Sequence, residues 1–152
     1  MARFDRDVLA PANVRWVIVF EGVNDLGRLA RNGEVPPVEH AALVQRVLTA
    51  YTQVIARAHA HGLRVYGATI TPYVGSTYYH PGPLGESDRR AVNRWIRDSG
   101  HFDAVIDFDA VVRDPQHPDQ LLPTYDCGDH LHPSPGGYKA METAIPLDLF
   151  TR

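Results

Sequence analysis

Two short stretches carry side chains whose types and spacing suit proton transfer and the stabilisation of a developing oxyanion. The first is E-G-V-N-D at 21–25. Gly22 permits a tight turn, and the carboxamide of Asn24 is a neutral N–H donor of the kind that meets an oxygen as it acquires negative charge. Taken alone, this stretch equally fits a plain turn in which Asn24 and Asp25 satisfy nearby backbone groups. The second stretch is Y-D-C-G-D-H-L-H-P at 125–133. Asp129 stands three residues before His132, a spacing at which a turn folds the carboxylate back onto the imidazole and fixes its tautomer and orientation. His132 is then the candidate general base. A polar, solvated loop ahead of a helix is the plainer alternative, since two His and two Asp beside Gly128 do not suit a core.

The same residues admit a different chemistry. Asp126, Cys127, Asp129, His130 and His132 offer carboxylate, thiolate and imidazole, the ligand types of zinc, and a metal-bound water is a nucleophile in its own right. Their spacing matches no standard zinc pattern, so no metal and no cofactor is assigned. A thiolate near an imidazole is strongly nucleophilic. Cys127 nevertheless lies only five residues before His132, and a small side chain filling a partly buried slot describes it better.

Positioning these groups falls to elements that alternate between strand and helix. The run V-R-W-V-I-V-F at 14–20, which opens on Val14 and closes on Phe20, is apolar almost without alternation, as in a strand covered on both faces. Apolar positions Leu43, Val47, Ala50, Val54 and Ala58, flanked by Val44, Leu48, Tyr51 and Ile55, recur at helical spacing over 40–61, after Pro36 and Pro37 and before Gly62. A second strand is expected over 63–71, then a Gly- and Pro-rich surface loop over 72–85. Ser87 is a plausible N-cap for a helix with Ala91, Val92, Trp95 and Ile96 on one face, stopping at Gly100. The third strand is 104–108, and Ser134-Pro135 reads as the N-cap and first residue of a last helix through Ile145. This order implies right-handed crossovers and a parallel sheet, an α/β fold with three strands. Ligands bind such sheets at their carboxyl edge, where both polar stretches fall.

Other polar residues receive structural readings. His59 and His61 sit at a helix end, where imidazoles interact favourably with the dipole. Tyr73, Tyr78, Tyr79 and His80 lie on the long loop, lining a cleft or covering the core. Asp107 and Asp109 cap the turn after the third strand, and Trp16 and Trp95 are core residues.

At 152 residues, 44% hydrophobic and 22% charged, the chain has the size and balance of one globular domain, 1–152. One cysteine excludes an internal disulfide. A net charge of -3 with no basic run argues against nucleic-acid binding. No apolar stretch approaches the roughly 20 residues of a membrane span. Arg3, Asp5, Arg6 and Asp7 stand where a signal peptide would be apolar, so a cytoplasmic chain is expected.

Together, Gly22-Val23-Asn24-Asp25 and Asp129-His130-Leu131-His132 resemble the G-x-N-D and D-x-x-H blocks of the SGNH, or GDSL-type, hydrolases, in order and across essentially the whole chain. The resemblance implies hydrolysis of a small-molecule ester, with Asn24 donating to the oxyanion, His132 as base, Asp129 orienting it, and Gly22 and Asp25 beside the substrate. The family's G-D-S block, source of its nucleophilic serine, has no counterpart, nor has the block supplying its second oxyanion glycine. The serines are Ser76, Ser87, Ser99 and Ser134, none in such a context. The chain thus resembles a family member lacking its first two strands, which implies a flavodoxin-like three-layer αβα sandwich with an incomplete sheet, and either a weakened esterase or a non-catalytic fragment that needs its missing N-terminal part. Since the family's sheet order is 2-1-3-4-5, the strand at 14–20 would have a bare edge, through which two copies are expected to pair as a homodimer.

Overall fold

In the computed structural model, which describes residues 3–29 and 31–151, three parallel strands lie side by side in the order β1-β2-β3. They are β1 (Trp16–Val19), β2 (Arg64–Ala68) and β3 (Ala104–Ile106). Trp16 stands opposite Arg64, and Tyr66 opposite Ala104. The helices are α1 (Val23–Leu29), α2 (Pro37–Ala60), α3 (Pro83–Asp98), α4 (Phe108–Val112) and α5 (Pro135–Thr143).

The pleat sends alternate side chains into two separate cores. Val17, Val19 and Val65 face a core built from α1, α2 and α3, with Leu26, Leu43, Val47, Tyr51, Val92 and Ile96. Trp16, Tyr66, Ala68 and Ile106 face a second core with Phe108, Val112, Leu121 and Met141, from α4, α5 and the segment between them. A three-layer α/β sandwich results, with all strand carboxyl ends at one edge.

Three local expectations are corrected. The run 14–20 is not covered throughout, because β1 is an edge strand: Ile18 is 41% exposed, and Phe20, just past the strand, 43%. The centre of the α2 stripe is Leu43, Val47, Tyr51, Ile55 and Ala58, while Ala50 and Val54 are only half-buried at its margin. α3 begins at Pro83, not Ser87: Gly82 precedes it, Pro83 takes the first turn where its missing N–H costs nothing, and Ser87 is an exposed mid-helix residue. The last helix starts as expected, with the Ser134 hydroxyl accepting from the Gly137 N–H at 3.2 Å, and ends at Thr143.

The buried face of α3 includes Val92 and Ile96 from the expected apolar stripe, and beside them Glu86, Asp88, Arg89 and Asn93, which the stripe does not contain. Arg89, 2% exposed, donates twice to Glu86, at 2.7 and 2.8 Å, and once to Asp109 at 2.7 Å. Arg97 donates to both Asp107 and Asp109, and the Asn93 side chain exchanges two 2.8 Å hydrogen bonds with the Ile70 backbone. Asp107 does cap α4, accepting from the Ala110 N–H, whereas Asp109 belongs to the arginine network. His40 of α2 pairs with Asp88 of α3 inside the core. Of the helix-end histidines, His61 bonds the Arg57 carbonyl in the last turn of α2, as expected, whereas His59 pairs with the Asp103 carboxylate outside the helix.

Candidate active site

The residues 125–134 form a loop closed by its own backbone. Asp126 bridges Pro133, the Cys127 N–H donates to the His132 carbonyl at 3.1 Å, and the Ser134 N–H donates to the Tyr125 carbonyl at 2.7 Å. Inside it, one oxygen of Asp129 accepts from the N–H groups of Leu131 and His132, at 2.9 and 2.8 Å. Its other oxygen lies 2.6 Å from His132 Nδ1. Partial burial pushes the Asp129 carboxyl up. The His132 ring, both N–H groups and the Cys127 thiol more than offset this and hold it well below the ordinary carboxylate range. With Nδ1–H directed at an ionised carboxylate, Nε2 is left as the acceptor, and the His132 side chain is 62% exposed to meet a substrate.

A second carboxylate–imidazole pair stands beside it. Asp126 lies 2.6 Å from His130 Nδ1 and accepts from the N–H groups of Gly128 and His130. Asp126 and His130, candidate metal ligands by residue type, thus pair with each other across four positions of the loop. Cys127, Asp129 and His132 present ligand atoms within 4.8 Å of one another, so part of the candidate metal set does converge. Cys127 is exposed and does not fill a buried slot.

Asn24 is placed by a different route. Gly22, at φ +115°, turns the chain out of β1, and a side chain there would press on Ile70 and the Tyr51 hydroxyl at 3.0 Å. Tyr51 in turn donates to the Glu21 carbonyl at 2.6 Å. α1 follows at once, so Val23, Asn24 and Asp25 form a helical first turn and not the irregular one that their composition also allows. The carbonyl oxygen of Asn24 accepts a hydrogen bond from the Tyr79 hydroxyl at 2.5 Å. Tyr79, one of the four loop residues whose types suit either a cleft or the core, is 3% exposed.

The two stretches meet through the segment after β2. Tyr79 holds Asn24, Gly75 packs against the ring of His130, and Leu131 packs on the core that contains Leu26, Tyr73 and Tyr79. No hydrogen bond joins Asn24 to His132 directly among the described residues. Gly22 and Asp25 line a separate groove of about 800 Å³, with Val17, Val19, Val47 and Val54. The serines are otherwise occupied: Ser76 accepts from the N–H groups of Tyr78 and Tyr79, Ser87 and Ser99 lie within and at the end of α3, and Ser134 caps α5.

The fold has close counterparts. A GDSL-like lipase from Bacteroides thetaiotaomicron superposes with a TM-score of 0.66 at 18% identity, covering 94% of this chain and 65% of that one. An acylhydrolase assigned in Bacteroides fragilis gives 0.65 at 19%, covering 94% and 64%. A variant of an acetyl-xylooligosaccharide esterase from Geobacillus gives 0.58 at 19%, covering 94% and 62%. The chain thus spans less than two thirds of the length of each of these proteins. No curated protein matches its sequence. The model of the GDSL-like lipase/acylhydrolase family matches residues 1–140, and the chain belongs to that family.

Proposed function

We propose that the chain is a slow carboxylic-ester hydrolase in which water replaces the family's serine. His132 Nε2 takes a proton from a water as its oxygen bonds to the ester carbonyl carbon. Asn24 donates to the carbonyl oxygen as it becomes negative, and collapse of the tetrahedral intermediate breaks the bond to the alcohol. The proton on His132 then passes to the departing alkoxide or to solvent. The observation that carries this reading is the Asp129–His132 pair at 2.6 Å, which leaves an exposed imidazole nitrogen in the acceptor tautomer. Loss of the serine in an enzyme of this type costs roughly a millionfold in turnover. Oxyanion stabilisation and binding retain about 10³ to 10⁴ over water, which favours esters with good leaving groups.

Hydrolysis of p-nitrophenyl acetate by the purified chain and by His132→Ala tests this. A rate above background that disappears in the variant supports the reading; equal rates overturn it. The convergence of Cys127, Asp129 and His132 favours a second reading, a divalent metal ion held there that supplies the attacking hydroxide. Activity abolished by a chelator and restored by zinc would favour that reading, and activity indifferent to the chelator would exclude it.

A further inference from the structure

The contact that fixes Asn24 is made by a side chain with little freedom of its own. Tyr79 is 3% exposed, with ring centroids 6.3 Å from Tyr73 and 4.7 Å from Tyr78, both edge-on. Its N–H is turned to the Ser76 hydroxyl, and the Arg31 guanidinium lies 4.1 Å over the Tyr78 ring, bracing the outer side. Across the site, Gly27 in α1 gives the ring its room: a Cβ there would stand 2.4 Å from Tyr79 Cγ. The Tyr79 hydroxyl therefore reaches Asn24 from a packed platform, while Asn24 itself is exposed.

We infer that Tyr79 is a positioning residue for the oxyanion donor. A free carboxamide presents its oxygen and its nitrogen about equally well, and an oxygen turned toward a developing oxyanion would repel it. A phenol donating to Oδ1 satisfies the oxygen and commits the amide to the orientation in which both Nδ2–H groups are left to donate elsewhere. Gly27 is a second element of the same device, since any side chain at 27 displaces the ring that carries the hydroxyl. This inference rests on the proposed role of Asn24 and assigns that role a further requirement.

Tyr79→Phe removes the hydroxyl and keeps the ring, so the packing among Tyr73, Tyr78 and Gly27 is retained. The expected result is a fall in kcat of about tenfold, the worth of one ordinary hydrogen bond, with KM unchanged. The same substitution made in Asn24→Ala is expected to have no further effect, because Tyr79 acts only through Asn24. A structural role would lower both backgrounds alike, and that result, or an unaltered kcat, overturns the inference. A readout independent of turnover is the side-chain amide signal of Asn24 in a ¹⁵N–¹H spectrum, identified by its loss in Asn24→Ala. In Tyr79→Phe this signal shifts while backbone signals away from 24 and 79 stay in place. If the parent chain hydrolyses no ester and the amide signal still shifts, the hydrolase reading fails and the positioning stands. An unshifted signal overturns the positioning whatever the activity.

Discussion

Asp129 is committed to four donors at once, and its lowered pKa has a definite sign in stability. The folded state holds a proton on this carboxyl less tightly than the unfolded chain, whose value is near 3.9. Its contribution is complete above that ordinary value and is lost as pH falls through the lower folded one. The melting temperatures of the parent and of Asp129→Asn should therefore differ at neutral pH and converge in strong acid. If the chain hydrolyses esters as proposed, the same variant should lose at least about a hundredfold in kcat at neutral pH, since a carboxamide no longer selects the reactive tautomer. Tyr73 is the opposite kind of residue. Its hydroxyl is buried without a hydrogen-bond partner among the described residues, and burial pushes its pKa up. Tyr73→Phe should be neutral or stabilising by about 1 kcal/mol in urea unfolding, because it deletes an unsatisfied group and retains the ring.

Among the elements, α3 departs most from what its sequence suggested. Its apolar residues Val92 and Ile96 were legible from periodicity, and they are buried. Glu86, Arg89 and Asn93 look like solvent-facing residues at helical spacing; only the tertiary arrangement supplies Asp109 and the Ile70 backbone as their partners. Removing one member of such a network strands a charge in the core, so Arg89→Ala should cost about 3–5 kcal/mol by denaturant unfolding. β1 departs for a similar reason. Its composition marks it as a strand, but which face and edge stay open depends on the order of strands, which no local pattern contains. The loop 125–134 was the most legible part of the site, because Asp129 and His132 need only each other and a turn. The Tyr79–Asn24 contact spans 55 positions and left no trace in spacing.

At the scale of the whole molecule, no described strand pairs with the outer side of β1, where Ile18 and Phe20 are each more than 40% exposed. Bare apolar edges associate. If two copies pair β1 antiparallel about a two-fold axis, sedimentation velocity at micromolar concentration should show a dimer that Ile18→Lys dissociates; a stable parent monomer would exclude this pairing. No helix among the described residues is long and apolar enough to cross a membrane. The loop 125–134 has a further consequence, which concerns the order of assembly. Its closing bonds join residues at most nine apart, whereas the donor arm depends on a contact between the ends of a 55-residue separation. Short closures cost less chain entropy and form sooner. During refolding, the imidazole of His132 should acquire its carboxylate partner before the amide of Asn24 acquires its phenol, so one half of the candidate site exists as a finished local structure while the other is still being gathered.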